Sequence, residues 1–577
     1  MNAAELGRLG RTVIQLRPAQ LGQRARLRTQ RRLLEHAVPL ASRWLLAGPP
    51  AVGRDPGWPD GFTPLDARLP RARRDAAALH GGELRLLGVP RTVAPPAGDG
   101  SARWAKADWA AADAPLLWRF HLYYWDWAWL LAGERSTPGA RAVLAAAWRS
   151  WRACVLPGRG AAWYPYPAAL RAWSFCGLYR DLVRGSEIEA EFRAELAALA
   201  GFLRRNLETD VGGNHLIKDL KALCGLAVFF GDEVLLRRTL TRLGRQLRIQ
   251  VLPDGGHYEL APAYHCQVLG DLIDIAGLLA AAGRPAPAGL GPAIGAMRSW
   301  LGAVQVRGGD VPLLNDGFPV DRGLLALLGV GPAPAGPLHL LPDTGLARIA
   351  VDGWHVLADV GPACPRELPA HAHADTLGCV AYLDGTPLLV DTGTSGYAPG
   401  AARDRERSTA AHNTAELDGA NSTEVWGAFR AGRRARVHGL TASENAGTVT
   451  VTAAHDGYRG LPGRPVHHRR WTADATGLRV DDQVTGQGRH RVTVRWHLAP
   501  GTGVRLVPGG AAVTTPRGEL TVSVTGPGPV LAIATAPVST GFGATVAALV
   551  LSATVTQELP VAISTVWRRT EPAKEPT

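Results

Sequence analysis

The chain has 577 residues, of which 46% are hydrophobic and 20% are charged. This composition is that of a soluble globular protein, and the length exceeds one hydrophobic core, so two or three domains are expected. The formal net charge is +13, and nearly all of the cationic residues are arginine.

The excess of arginine bears on the class of partner. Arginine suits carboxylate and sulfate groups, and the sequence carries no DNA- or RNA-binding signature. An acidic polysaccharide is therefore favoured over nucleic acid, although abundant arginine, alanine and glycine are also typical of a GC-rich genome. The oligomeric state cannot be read from the sequence.

The first 38 residues read MNAAELGRLGRTVIQLRPAQLGQRARLRTQRRLLEHAV. They lack the apolar core of a signal peptide and predict a basic amphipathic helical segment. Docking on the body of the protein is favoured over lying on an anionic membrane. A cytoplasmic location is expected, while a periplasmic location and membrane-surface association stay open as alternatives.

The uncharged run between Glu519 and Glu558 is rich in Thr, Ser, Gly and Pro. Such a composition predicts β-strands and not a membrane helix, so no transmembrane segment is expected.

The pattern of hydrophobic residues changes once, near residue 335. Before it, stretches such as EIEAEFRAELAALAGFLRRNLE and YHCQVLGDLIDIAGLLAAAG carry apolar residues at helical spacing, separated by Gly and Pro. This succession predicts an α/α array or an (α/α) toroid of helix pairs. Residues 88–102 read as a loop, and Leu328–Gly345 reads as the interdomain linker.

After residue 335 the period becomes two, as in GTVTVTAAHDGYRG and HRVTVRWHLAPG, and LDGTPLLVD carries the Asp-Gly hairpin signal. A large antiparallel β-sandwich is predicted. The expected domains are a basic helical segment and loop over 1–105, the toroid over 106–335 and the sandwich over 336–577.

Four motifs carry candidate chemistry, namely GGNHLIKDL, LPDGGHYELAPAYHCQV, HAHADTLGCVAYLDGTPLLVDTGTSGY and RERSTAAHNTAELDG. Each has an ordinary structural alternative, because Asn214 is also a good helix cap and the aromatic residues are also good packing groups. If HAHADT is extended, His371, His373 and Asp375 share one face.

Taken together and in this order, the motifs resemble those of the heparinase II/III-like polysaccharide lyases, which include related alginate and oligoalginate lyases. The resemblance covers residues 110–440 by motif and the whole chain by architecture. It implies an alginate-lyase-like toroid followed by a heparinase II/III-like β-sandwich, in agreement with the periodicity. It also implies β-elimination in a uronate-containing, glycosaminoglycan-like polysaccharide.

The resemblance assigns roles to particular side chains. Asn214 and His215 are expected to neutralise the uronate carboxylate, and Tyr264 matches the catalytic tyrosine. His215 or His371 is the expected base, depending on the configuration at C5, and Tyr397 is a second family-like tyrosine. The candidate substrate-binding residues are Arg171, Trp173, Glu259 and Arg407.

In the family, the second histidine of the HAH pair, the aspartate of LVD and the histidine of AHNT hold zinc. The corresponding residues here are His373, Asp391 and His412. Two imidazoles, a carboxylate and water form a chemically reasonable zinc site. The resemblance therefore implies one zinc ion of mainly structural role, with His371 directed to the substrate and His373 to the metal.

Two positions depart from the family pattern. Lys218 stands where relatives often carry glutamate, and Leu260 stands where they often carry arginine. Both departures bear on which substrate the protein accepts and on how active it is expected to be.

Two alternatives of different class remain. One is a polysaccharide-binding or biosynthesis-associated protein without turnover. The other is an (α/α)-toroid glycoside hydrolase, which would use a pair of carboxylates across the bond.

Overall fold

The computed structural model describes residues 3–36, 39–48, 57–69, 73–98, 101–132, 138–306 and 309–570. Parts of the predicted N-terminal segment, among them residues 49–56 and 99–100, lie outside the described residues. Within the described part of the chain, no helix combines the length and apolar character needed to cross a bilayer.

Among the described residues before 330, the regular secondary structure is helical except for one short hairpin. The helices of this part are α1 (Ala3–Val13), α2 (Pro18–Glu35), α3 (Pro39–Leu45), α4 (Leu65–Arg68), α5 (Arg73–His80), α6 (Leu116–Tyr124), α7 (Trp129–Ala132), α8 (Pro138–Cys154), α9 (Pro165–Leu178), α10 (Glu189–Leu203), α11 (Gly213–Phe230), α12 (Glu233–Gln250), α13 (Pro262–Ala281), α14 (Leu290–Val304) and α15 (Arg322–Leu328).

Sequential helices pack on one another: α9 contacts α10, and α11 lies against α9, α12 and α13. This arrangement of neighbouring helices is the predicted helical architecture. Helix α11 is central to it and is buried along most of its length. The loop predicted over 88–102 is partly wrong, because its first residues form the second strand of a hairpin, β1 (Glu83–Leu86) and β2 (Val89–Thr92).

In the described C-terminal residues up to 570, antiparallel strands are joined by one short α-helix, α16 (Ala401–Glu406). The strands are β3 (Leu338–Leu341), β4 (Leu346–Val351), β5 (Trp354–Asp359), β6 (Cys379–Leu383), β7 (Thr386–Leu389), β8 (Ala415–Leu417), β9 (Val425–Trp426), β10 (Arg430–Ala431), β11 (Val437–Asn445), β12 (Thr448–His455), β13 (Val466–Asp474), β14 (Gly477–Thr485), β15 (Arg489–His497), β16 (Gly503–Val507), β17 (Gly510–Thr515), β18 (Gly518–Thr525), β19 (Val530–Gly541), β20 (Ala544–Glu558) and β21 (Val561–Arg569).

These strands form three larger sheets around one apolar core. The strand orders are β11-β12-β13-β14-β21-β18-β17-β16, β19-β20-β15-β8 and β3-β4-β5-β6-β7. The architecture is the predicted one, helical first and antiparallel β second. The uncharged run before Glu558 forms strands as predicted, and β3 lies within the stretch expected to be only a linker.

The N-terminal helices dock on the body of the protein and contact both parts. From α1, Arg11 Nε lies 2.8 Å from Glu424 Oε2, and Thr12 Oγ1 accepts a 3.0 Å hydrogen bond from Trp426 Nε1. From α2, Arg24 Nε lies 3.4 Å from Asp210 of the helical part. The basic segment thus spans the junction between the two parts.

A buried ion pair anchors the large sheet to the loops that precede it. Arg469 Nε and Nη2 donate to Asp482 at 2.7 and 3.0 Å, and Arg469 Nη1 donates to the carbonyls of Leu377 and Asn413 at 2.8 and 2.5 Å. Both partners are inaccessible to solvent. The guanidinium therefore ties β13 and β14 to the segments around His373 and His412.

We expect Arg469→Met to lower the free energy of unfolding by about 3–5 kcal/mol, because it leaves the Asp482 charge buried without a partner. Denaturant unfolding monitored by tryptophan fluorescence measures the loss. Arg479→Met is the matched control, because Arg479 pairs with Asp481 on the same sheet at an exposed position. A loss at Arg469 no larger than at Arg479 would contradict the anchoring role.

Candidate active site

A cleft of about 930 Å³ lies where the helical and β parts meet. The helical part contributes Asn214, His215 and Tyr264 to its wall, and the β part contributes His371 and Tyr397. The structure thus brings all five predicted catalytic residues to one cavity. A cleft between two structural units is a usual place for a ligand site.

Asn214 is held at the start of α11 by Glu259. Asn214 Nδ2 donates to Glu259 Oε2 at 2.9 Å and to Oε1 at 3.2 Å, and the backbone N–H of Asn214 donates to Oε1 at 3.1 Å. Asn214 Oδ1 is buried without a hydrogen-bond partner. Glu259 therefore positions Asn214, and its carboxylate is already occupied, which argues against its predicted role in substrate binding.

The close approach of Glu259 explains the two glycines before Asn214. Gly213 has φ 57°, and a Cβ atom there would lie 1.8 Å from Glu259 Oε1. Any other residue would therefore clash with Glu259 and would also strain the backbone.

His215 faces the cleft from the next position. Its Nδ1 lies 3.2 Å from Glu208 Oε2, and its ring packs 4.3 Å from the Tyr166 ring. Burial acts to lower the pKa of His215, but Glu208 and other carboxylates outweigh it and raise the pKa. The imidazole therefore carries its proton to a higher pH than an ordinary histidine.

Two tyrosines and a histidine form a compact group across the cleft. Tyr264 Oη and Tyr397 Oη are 2.7 Å apart, and the Tyr264 and His371 ring centroids are 4.0 Å apart. Burial is the main cause of the raised pKa of both tyrosines. Both phenols therefore keep their protons at neutral pH and can act as proton donors.

His371 is oriented by Asp316, a residue that the sequence analysis missed. His371 Nδ1 lies 3.0 Å from Asp316 Oδ2, and His373 Nε2 lies 2.9 Å from Oδ1. Arg403 forms a bidentate pair with the same carboxylate. Burial would raise the pKa of Asp316, but Arg403 and the two histidines hold it well below its usual value.

The HAHADT stretch lies in the irregular connection between β5 and β6 and forms no β-strand. His371 and His373 both turn towards Asp316. The sequence around Asp316, LLNDGF, reads as a turn, and its polar residues gave no sign of a buried carboxylate.

The proposed zinc ligands lie close together. His412 Nδ1 is 2.7 Å from Asp391 Oδ2, and the His373 and His412 ring centroids are 5.3 Å apart. His373 Nδ1 and His412 Nε2 are buried without hydrogen-bond partners. The donor chemistry fits zinc, yet within the described ranges no group of three or more His, Cys, Asp or Glu side chains is arranged to hold a metal ion.

The two arginines predicted to bind substrate are structural. Arg171 is fully buried, donates to the Ala162 carbonyl at 2.8 Å and lies 3.7 Å from Glu195. Arg407 is 1% exposed and donates to the carbonyls of Ala372, Gly427 and Arg430. Neither side chain lines the cleft, which argues against the substrate-binding role predicted for both.

Trp173 is 2% exposed and packs on Trp58 at a centroid distance of 4.5 Å. Its edge reaches the cleft wall, where Lys221 Nζ lies 4.4 Å from the ring centroid. No ring face is open to a sugar, so the predicted stacking role is not supported.

The two departures from the family pattern differ in their surroundings. Lys218 lines the cleft, and its Nζ donates to Asp271 Oδ1 at 2.8 Å. Leu260 has a left-handed φ of 59°, and its carbonyl accepts a 2.9 Å hydrogen bond from Asn315 Nδ2. Lys218 is thus part of the cleft wall, whereas Leu260 serves the local backbone.

Comparisons with known proteins agree with this architecture. The heparinase II/III N-terminal family model matches residues 152–326, and the heparinase II/III-like C-terminal model matches residues 333–565. No curated protein sequence matches the chain.

Solved structures show the same fold. A heparinase III structure superposes with a TM-score of 0.74 at 16% identity, covering 94% of this chain and 91% of that one. A heparan sulfate lyase from Pedobacter heparinus superposes with a TM-score of 0.60 at 16% identity, covering 96% and 89%.

Proposed function

Because the chain belongs to the heparinase II/III-like family of polysaccharide lyases, we propose that it cleaves a uronate-containing acidic polysaccharide by β-elimination. In this reaction a base removes the C5 proton of the uronate, and O4 leaves with a proton from an acid. The observation that most supports this proposal is that His371 and Tyr264, from different parts of the chain, pack together in the cleft that Asn214 also lines.

His371 is the proposed base. Its Nδ1 faces the ionised Asp316, and in the tautomer that donates from Nδ1 to this carboxylate the Nε2 lone pair is free to take a proton. His371 Nε2 lies 3.8 Å from Glu259 Oε1, which is too far for a hydrogen bond. Orientation of a histidine by a buried carboxylate is the arrangement that general bases commonly use.

Tyr264 is the proposed acid. Its phenol retains its proton because burial raises its pKa, and the hydrogen bond with Tyr397 fixes the position of its oxygen. Since acid and base lie side by side, they would act on one face of the sugar. This geometry suits a uronate whose C5 hydrogen and O4 are in a syn relation.

Asn214 and His215 are proposed to neutralise the uronate carboxyl group. A charged carboxylate makes the C5 proton weakly acidic, so the developing enolate needs stabilisation. The raised pKa of His215 favours an imidazolium that can pair with the carboxylate. The same protonation makes His215 a poor base, which favours His371 for that role.

We expect the protein to release an ultraviolet-absorbing unsaturated sugar from a uronate polymer and none from the same polymer with its carboxyl groups reduced to alcohols. Tyr264→Phe should lower turnover by about 10²–10⁴-fold, because it removes the proton donor. The absorbance of the products measures both effects.

The matched control is Tyr382→Phe, because Tyr382 is buried away from the cleft in β6. Cleavage of the reduced polymer with new reducing ends and no absorbance would favour the hydrolase. Binding of the uronate polymer with neither product would favour the binding protein without turnover.

A second expectation concerns pH. If the His215 cation is the active form, kcat/KM should fall as pH rises through its raised pKa. Glu208→Gln removes the largest opposing charge, so the basic limb of the profile should move to lower pH. Glu367→Gln, which removes another cleft carboxylate, should leave the limb in place. An unmoved limb in Glu208→Gln would remove His215 from this role.

We also propose that His373, Asp391 and His412 hold one zinc ion of mainly structural role. Support comes from the donor types and the two unpartnered buried ring nitrogens. Such an ion would fix the connection after β5, which carries His371, relative to Asp391 and His412. Its chemistry would be to cross-link these segments, leaving proton transfer to the side chains above.

Metal analysis of purified protein should therefore find about one zinc per chain. His373→Ala should lose the metal and lower the melting temperature. His438→Ala, at an exposed position in β11, should do neither. Metal-free wild-type protein that was never exposed to chelator would contradict the zinc proposal.

A further inference from the structure

A second polar cluster lies in the cleft beside the proposed catalytic residues. Lys218 Nζ and Lys221 Nζ donate to Asp271 Oδ1 at 2.8 and 3.0 Å, and Lys221 also donates to Asp274 Oδ2 at 2.6 Å. Asp274 Oδ1 accepts a 2.8 Å hydrogen bond from the backbone of Leu65. The cluster is therefore fixed on several sides.

One atom of this cluster is not satisfied. Asp271 Oδ2 is buried and has no hydrogen-bond partner, although the side chain is 2% exposed and lines the cleft. A buried carboxylate oxygen without a partner is costly, and ligands commonly satisfy such atoms. Lys218 Nζ, next to it, has further protons to donate.

Lys218 and Asp271 lie on the same two packed helices as Asn214 and Tyr264, further towards the C-terminal end of each helix. Lys218 follows Asn214 by four residues on α11, and Asp271 follows Tyr264 by seven residues on α13. Residues at these spacings share one face of a helix. The cluster therefore lies about 6–10 Å further along the same helices than Asn214 and Tyr264.

The charge of the cleft limits what can bind there. Among the described residues that line it, eight are Asp or Glu and four are Lys or Arg, namely Arg24, Lys218, Lys221 and Arg430. The net formal charge of the wall is negative, in contrast to the chain as a whole. A densely sulfated polymer would meet repulsion here, since charge complementarity governs the choice of partner.

We propose that Lys218 and Asp271 form a subsite for hydroxyl groups of an unsulfated sugar, next to the position of the reacting uronate. A hydroxyl group can donate to Asp271 Oδ2 and accept from Lys218 Nζ at once. A sulfate would face the Asp271 carboxylate, and a free ammonium group would face two lysines. This inference rests on the proposed function and specifies its substrate as a polymer of low sulfation.

The test compares an unsulfated glucuronate–N-acetylhexosamine polymer with the same polymer after chemical O-sulfation. Wild-type protein should have a kcat/KM at least about tenfold higher on the unsulfated form, as expected when a polar site rejects a mismatched group. Retardation in native gels that contain either polymer gives the binding preference without turnover.

Asp271→Asn should lower kcat/KM on the unsulfated polymer by about 10- to 100-fold. It should also weaken the preference for the unsulfated form, because it makes the cleft more positive. Lys218→Met should lower binding of the unsulfated polymer, and its melting temperature verifies folding. Asp481→Asn is the matched control, since it changes the net charge equally at a half-buried position of β14 that does not line the cleft.

The possible failures are distinguishable. Unsaturated product with a preference that Asp271→Asn does not change would overturn the subsite and leave the lyase proposal standing. Absence of product from every uronate polymer would overturn the lyase, and the binding preference in gels would still decide the subsite. A wild-type preference for the sulfated polymer in both assays would overturn the subsite outright.

Discussion

The buried carboxylate of Asp316 is the interaction on which the cleft depends. It receives His371 at one oxygen and His373 at the other, and Arg403 bridges both. Asp316 precedes α15, whereas these partners belong to the β part. A buried ion pair adds little net stability compared with apolar packing, so we infer that its main contribution is to orient its partner side chains. It fixes the rings of both histidines relative to the helical part.

The composition suggests that the arginines of the chain bind a polyanion, but several arginines near the motifs are buried inside the protein. Arg171 is stacked between Trp151 and Trp163, with its guanidinium carbon 5.2 Å from each ring centroid. Arg403, Arg407 and Arg469 are likewise buried and bind carbonyl or carboxylate oxygens. Much of the arginine near the motifs thus serves internal hydrogen bonding, and the cleft itself carries more carboxylates than cations.

Sequence reasoning predicted the fold and the composition of the cleft well because these are encoded locally. Helical spacing and two-residue alternation identify the two parts, and the Asp384–Gly385 turn has the positive φ values, 50° and 78°, that its residues favour. The five candidate catalytic residues lie in ordered motifs, so their common location followed from the resemblance.

The sequence-based predictions fail where contacts between residues distant in the chain determine the position of a side chain. Asp316 lies 55 residues from His371 in sequence, and nothing local marks it as buried. Arg171 lies on α9, whose residues are buried around most of the helix, so no polar face was available to show which way its side chain points. Lys218 was recognised as unusual, but its partner Asp271 lies on another helix and could not be inferred from spacing.

The excess of carboxylates in the cleft has two physical consequences that act together. Glu208, Glu259 and Asp210 all raise the pKa of His215, which would keep a cation available for the single carboxyl group that the proposed reaction must neutralise. The same negative charges oppose additional anions elsewhere on the polymer. Under the proposed function, a cation at His215 within a wall of net negative charge would favour an isolated uronate, because the reaction requires only one carboxyl group at the bond that breaks.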